Sequence, residues 1–279
     1  MSKVILVTGA SSGIGEATVL RLLKDGATVY AAARRVERMQ ALQQAGAHIV
    51  SLDVTDDASM VATVERIKRD SGKLDGLVNN AGYGSYGSLE DVPLDEGRRQ
   101  FEVNVFGLAR LIQLCLPMMR AQRSGTIVNI TSIGGKMHEP LGSWYHATKF
   151  AVEGMSDCLR MELAPFGINV VIVEPGAIKT EWTEIARQSL LKYSGDTAYA
   201  PYAKSHASMF AAVDKEGGMA SPPSVVANTI AKAFNATRPR TRYETGSGAR
   251  ALLLLRRLLS DRSFDGLMRF VEKRMAAQG

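Results

Sequence analysis

Thr8-Gly9-Ala10-Ser11-Ser12-Gly13-Ile14-Gly15 follows the apolar run Val4–Thr8 directly and leads into residues 15–24, whose apolar positions repeat at helical spacing. Glycines at such a turn let the backbone bend tightly and approach a pyrophosphate, and the unpaired N–H groups at a helix start attract its negative charge. The spacing is G-x-x-x-G-x-G rather than G-x-G-x-x-G, and glycine- and serine-rich turns also serve simply to reverse a chain. Its place between a strand and a helix makes this one informative. Gly9, Ser11, Ser12, Gly13, Ile14 and Gly15 are therefore candidate nucleotide-binding residues.

The alternation continues outward from that turn. Short β-rich runs at 4–8, 28–33, 48–53, 74–79, 126–131 and 169–174 are separated by helical patterns at 15–24, 36–45, 59–71, 96–122 and 143–166. Parallel strands need crossover helices, so the pattern predicts an α/β fold. The specific expectation is a Rossmann-type, doubly wound, mostly parallel sheet of seven strands with helices on both faces, the seventh strand lying around 242–246. After Gly176 the alternation stops. Residues 180–223 hold Gly195, Gly217-Gly218 and Pro222-Pro223 and read as a substrate-loop insertion of short helices. Residues 249–277, with Leu252–Leu255 and Leu258-Leu259 beside several arginines, read as an amphipathic helical extension. No linker or internal repeat interrupts the chain, so 1–279 is expected to form a single domain.

Composition narrows the function. Apolar residues make up 46% and charged residues 22%, as in ordinary globular proteins, which excludes disordered, collagen-like and coiled-coil classes. The net charge is +6, yet residues 232–279 hold 11 Lys/Arg against 4 Asp/Glu, so the basic balance belongs to the tail. No nucleic-acid reading motif accompanies it, and no nucleic-acid partner is expected. Cys115 and Cys158 lack both a disulfide framework and metal-ligand spacing, so neither disulfide nor metal is expected. With no signal-peptide pattern and no run of ~20 apolar residues, the expected location is cytoplasmic.

The end of the second strand sets the cofactor expectation. An acid there usually holds the adenosine ribose of NAD(H). Ala33 is instead followed by Arg34 and Arg35, two cations suited to a 2′-phosphate, so NADP(H) is expected in preference to NAD(H). An Arg-Arg pair could also be a solvated helix start.

Tyr145 and Lys149 share a helical face at i and i+4, and Ser132 ends the strand before them, where such sheets place their ligand crevice. A tyrosine at its ordinary pKa of ~10 is a poor acid–base catalyst, and a neighbouring ammonium would lower that value.

Taken together, Gly9/Gly13/Gly15, Asn79-Asn80-Ala81-Gly82, Asn104, Ser132, Tyr145/Lys149 and Pro175-Gly176 resemble the short-chain dehydrogenase/reductase family, over about Val4 to Thr180. The resemblance is nearest the hydroxysteroid and retinol dehydrogenase-like branch, through the run 32–35 and the long basic C-terminal end. It implies a catalytic set of Ser132, Tyr145, Lys149 and Asn104. Tyr145 would protonate a carbonyl oxygen, Lys149 would lower its pKa and hold the nicotinamide ribose, Ser132 would orient the substrate oxygen, and Asn104 would hold a water near the lysine. It further implies that Asp53 and Val54 contact the adenine, that Asn80, Ala81 and Gly82 lie beside the cofactor, and that Pro175, Gly176, Ile178 and Thr180 are cofactor-binding, Thr180 at the nicotinamide carboxamide.

Met137, Leu141 and Trp182 are the expected substrate contacts. With Tyr199, Tyr202, Met209 and Phe210 they would make an apolar cleft for a small-molecule ketone, aldehyde or secondary alcohol, with a bulky lipophilic one expected. Met and aromatic residues at such spacing are as often core. His138 and Glu139 could line the pocket or an exposed loop, and His146 should face away from Tyr145. The 249–277 segment could pack on the protein or contact a membrane peripherally. A homodimer or homotetramer would pair 96–122 with 143–166, as family members often do. The rival class is a catalytically silent NADP(H)-binding regulator, which a missing tyrosine or lysine would mark; both are present.

Overall fold

The computed structural model describes residues 2–215 and 217–276; Met1, Glu216 and 277–279, ends and interior of the 1–279 and 249–277 readings, lie outside the described residues. Its strands are β1 Val4–Thr8, β2 Thr28–Ala33, β3 His48–Ser51, β4 Gly76–Asn79, β5 Gly125–Ile130, β6 Ile168–Pro175 and β7 Arg242–Thr245. The helices are α1 Gly13–Lys24, α2 Gln40–Gln44, α3 Asp57–Ser71, α4 Leu94–Phe101, α5 Gly107–Gln122, α6 Ser143–Leu163, α7 Glu181–Ser194, α8 Ala200–Asp214, α9 Pro223–Asn235, α10 Ala249–Leu258 and α11 Asp261–Ala276.

All seven strands are parallel, in the order β3-β2-β1-β4-β5-β6-β7. Strand side chains alternate between two faces, so Val4 and Leu6 enter one core with α3, α5 and α6, while Ile5 and Val7 enter the other with α1 and α9. Where both faces are covered, as at β1 and β2, the strands read as nearly unbroken apolar runs, whereas the edge strands β3 and β7 carry polar residues. The chain leaves β1 toward β2 and returns to β4 on its other side, which opens a crevice at the carboxyl ends of β1 and β4. That crevice is tied together: the Thr8 hydroxyl donates to Val78 O at 3.2 Å and accepts from the N–H groups of Asn80 and Ala81 at 3.0 Å each.

Beyond shifts of up to three residues at element ends, three expected elements differ in kind. The 96–122 helix is divided by a π-turn at Glu102–Phe106; the whole span Leu94–Gln122 is long and apolar enough to cross a membrane by length and composition, while its Leu111, Ile112, Cys115 and Met119 are buried against the sheet. The 36–45 helix begins as a 3-10 turn, Val36–Met39. The 249–277 extension is two helices rather than one, because Leu259 turns extended and Ser260 starts α11, accepting from the Ser263 N–H at 3.4 Å.

Candidate active site

Strand β1 delivers the glycine turn to the crevice. Gly9 has φ +65, and a Cβ on Gly15 would lie 2.2 Å from Gly9 O, so neither position tolerates a side chain. Ser12 caps α1 in extended conformation without a side-chain bond to the helix, so its hydroxyl does not occupy the first N–H groups. Asn80 braces the turn, donating from Nδ2 to Thr8 O at 2.9 Å. Ile14 packs at the core edge, and Ala81 and Gly82 follow Asn80 along the crevice floor, Gly82 against the Asn104 carboxamide.

The two arginines part company. Arg35 reaches back over the turn, its Nη2 donating at 3.3 Å to the hydroxyls of both Ser11 and Ser12 and at 3.2 Å to Glu181. Arg34 instead lies toward Asp53: burial, the largest single influence, pushes that carboxyl up, but the hydrogen bonds it accepts from the Thr55 N–H and hydroxyl at 2.9 and 2.8 Å, with a smaller contribution from the Arg34 charge, hold it below its usual range. Val54 sits beside it, its carbonyl packed against Gly107. Arg38, one turn past Arg35, clasps Glu181, and together they hold that carboxyl below its usual range, Arg38 foremost. Sequence reasoning passed over Arg38 and Glu181. The i, i+3 placement of Arg38 was a local signal; Glu181 gave none.

Ser132, Tyr145 and Lys149 converge at the ends of β5 and β6. Ser132 Oγ accepts from the Gly134 N–H at 3.0 Å, lies 3.5 Å from Pro175 O, and hydrogen-bonds the Tyr145 phenol. Burial pushes that phenol well above its ordinary pKa; the serine bond pulls it down, and the Glu139 charge pushes it further up. The Lys149 ammonium lies 5.7 Å from the Tyr145 ring centroid and donates to Ile130 O at 3.0 Å. Burial draws it down to about 8, against the upward pull of Glu153. Asn104 sits in the π-turn, which brings its carboxamide inward: Oδ1 accepts from the Tyr83 N–H at 3.1 Å and Nδ2 donates to Tyr83 O and to the Thr148 hydroxyl. It thus joins the 83 loop to α6 one residue from Lys149. Gly176 continues the β6 edge, Ile178 bridges to Ser221, and Thr180 caps α7, accepting from the Trp182 N–H at 3.3 Å.

An aromatic roof closes over the phenol. Trp182 lies 5.0 Å and Tyr86 5.7 Å from the Tyr145 ring, and Leu141 and Phe210 complete the cluster, with Met209 at its edge. Tyr199 and Tyr202 lie farther out. Met137 is buried. His138 pairs with Asp265 at 2.9 Å and meets Phe264 edge-on, beneath the C-terminal helices rather than in the pocket. Glu139 accepts from the Tyr86 hydroxyl at 2.7 Å. His146 faces Gly134 O at 2.9 Å and accepts from the Glu139 N–H. Glu139, expected to line either the pocket or an exposed loop, is thus held beneath the roof, and its pairing with Tyr86 was not foreseen because it joins residues 53 apart.

A glycine turn at the switch of a parallel sheet, with a serine, tyrosine and lysine gathered at the next strand ends, defines a Rossmann-type nucleotide-binding oxidoreductase. Residues 3–190 match the family model for short chain dehydrogenases. The chain belongs to the short-chain dehydrogenase/reductase family, whose members use nicotinamide cofactors. It is 35% identical over 266 residues to a probable short-chain type dehydrogenase/reductase, VdlC, of Helicobacter pylori, covering 95% of this chain and 96% of that one. It is also 35% identical to the NADPH-dependent 3-dehydrocapnine reductase of Ornithobacterium rhinotracheale, covering 93% and 94%. The solved structure of a short-chain dehydrogenase from Streptomyces avermitilis matches with TM-score 0.77 and 33% identity over 98% of both chains.

Proposed function

We propose that the protein is an NADP(H)-dependent carbonyl reductase, running also in the alcohol-oxidising direction, with Tyr145 as general acid and base. The convergence of Ser132, Tyr145 and Lys149 beside the glycine turn carries this reading. A bound nicotinamide supplies or accepts the hydride. Ser132 orients the substrate oxygen toward the phenol, Tyr145 donates the proton from its Oη, Lys149 favours the phenolate left behind and holds the ribose, and Asn104 fixes the 83 loop and α6 around them. Gly9, Gly13 and Gly15 admit the pyrophosphate at the start of α1, and Arg35, with Arg38 behind it, receives the 2′-phosphate. The NADPH dependence named for the Ornithobacterium relative supports the same preference.

The substrate is a lipophilic ketone or aldehyde received beneath Trp182 and Leu141, because the roof over Tyr145 is aromatic and aliphatic. A cytoplasmic homodimer or homotetramer fits the exposed Phe106, Phe150 and Met161 on the helices that would pair. On α10 the exposed Leu254 and Leu258 lie beside Arg250 and Arg257, a face suited to peripheral contact with anionic lipid. The deciding experiment is Tyr145→Phe: NADPH binding, followed by cofactor fluorescence, persists, while carbonyl-dependent NADPH oxidation falls roughly 10²–10⁴-fold. Equal residual turnover would contradict the assignment of the phenol.

A further inference from the structure

An open groove of about 630 Å³ runs beside the roof, walled by Leu89, Glu90, Pro140, Leu141, Tyr199 and Tyr202. We propose that this groove is a tail site, which takes the aliphatic chain of a long-chain ketone or alcohol whose oxygen lies at Tyr145. The inference rests on the reading of Tyr145 as the reacting centre and adds where the rest of the substrate lies.

Three observations carry it. First, Leu141 belongs to both places: it lines the groove, and it packs in the cluster that contains Tyr86 and Tyr145. One side chain therefore borders both the groove and the cluster around the reacting phenol. Second, Leu141 holds φ +63, a left-handed backbone that a branched residue adopts at a cost, and it is kept there by the Gly87 N–H donating to Leu141 O at 2.7 Å. Such strain persists where the surroundings over-determine it, which is typical of ligand clamps. Third, the outer wall exposes large apolar side chains with Leu89 at 61%, while the polar atoms beside them are engaged with each other: the Tyr199 hydroxyl donates to Glu90 at 2.9 Å. The groove is also fastened rather than incidental. Asp91 accepts from Ser194 and Thr197 at 2.7 and 2.8 Å, and the Ser88 N–H donates to Ser194 Oγ at 2.9 Å, pinning the α7–α8 connection to the 88–91 loop.

An open, mainly apolar trough of this volume beside the cluster that holds the reacting group matches an alkyl chain better than a compact ring system. Each methylene withdrawn from water onto such a wall strengthens binding about fourfold.

The test is a series of methyl ketones from 2-butanone to 2-tridecanone, with kcat/KM measured by NADPH absorbance for the wild type, Leu89→Glu, and the control Leu94→Glu. Leu94 is equally exposed at 61% but lies outside the groove. The expected result is a wild-type kcat/KM that climbs steeply with chain length, by up to about fourfold per methylene until the groove is full. Leu89→Glu should flatten that climb and Leu94→Glu should keep it. Titration with 1-dodecanol, read by tryptophan fluorescence, should likewise give a several-fold weaker Kd for Leu89→Glu than for the control. Short ketones turned over with no dependence on chain length, or equal slopes in both variants, would overturn the tail site and leave the carbonyl reductase reading standing. No turnover of any carbonyl would overturn that reading and the tail site with it.

Discussion

Replacing Arg35 with alanine tests the cofactor preference at its physical source. The guanidinium stands 3.3 Å from the Ser11 and Ser12 hydroxyls, over the turn that would receive a pyrophosphate. A hydrogen bond to a charged group contributes about 1.5–3 kcal/mol. Arg35 is 47% exposed, so solvent screening places its contribution near the lower end, about 1.5 kcal/mol. Binding a 2′-phosphate also draws Arg35 from Glu181, 3.2 Å away, and an exposed ion pair of this kind is worth about 0–1 kcal/mol. The net is roughly 1 kcal/mol, about a fivefold loss in kcat/KM for NADPH, rising to about tenfold if the Glu181 pair contributes nothing. With NADH there is no 2′-phosphate to lose, so kcat/KM should hold within about twofold. Glu181→Gln should move the other way, improving NADPH a few-fold by freeing both arginines. Steady-state kinetics with both cofactors read all three. An equal fall for NADH and NADPH in Arg35→Ala would show that Arg35 only shapes the turn.

Other expectations concern buried charge. Glu153 and Glu174 lie buried side by side, with Arg242 3.1 Å from Glu153 and 3.7 Å from Glu174. Arg242→Met strands both carboxylates and should cost about 3 kcal/mol, the low end for a broken buried pair because Lys136 still reaches Glu153, seen as a lowered urea midpoint. Burial, with the Glu153 charge behind it, raises Glu174 to about 7. The folded protein then binds more protons than the unfolded one between about pH 4.3 and 7. That contribution is fully present below the unfolded pKa and is lost as pH rises through 7, so Glu174→Gln should flatten the decline measured by denaturation at pH 5 and pH 8. Lys149, lowered to about 8, has the opposite sense. Between about 8 and 10.4 the unfolded chain holds the extra proton, so this residue makes stability rise with pH, and Lys149→Met should remove that rise in melts at pH 8 and pH 10.

How far the residues foretold the structure depends on the range of the interactions involved. β1 and β2 keep their expected bounds because strands covered on both faces must be apolar throughout, a signal held within five or six residues. Tyr145 and Lys149 were legible for a similar reason: helical pitch alone puts them on one face. The π-turn at Glu102–Phe106 has no such signature, since a shifted backbone bond leaves composition unchanged. The break between α10 and α11 did have one, because Ser260-Asp261 is a helix-start pair, but the leucine run before it masks it. Glu181 meets Arg38 across 143 residues, and Glu139 meets Tyr86 across 53. Only the folded chain brings such pairs together.

The same folding bears on the direction of the proposed reaction. Burial acts against whichever form of a group is charged, so it raises the Tyr145 phenol and lowers the Lys149 ammonium, drawing both toward neutrality. The opposing influences, the Ser132 hydrogen bond on one and the Glu153 charge on the other, are the smaller ones. With Trp182 and Tyr86 packed over the ring, the proton therefore rests on the phenol, the form that can donate to a carbonyl oxygen but cannot take a proton from an alcohol. Reduction can begin from this closed arrangement. Oxidation first needs the phenolate, and hence either higher pH or a positive charge close to Tyr145 beyond that of the Lys149 ammonium, 5.7 Å from the ring. An oxidised nicotinamide ring bound beside the phenol would be such a charge and a reduced one would not, so in the proposed reaction the cofactor of each direction would favour the protonation state that direction requires.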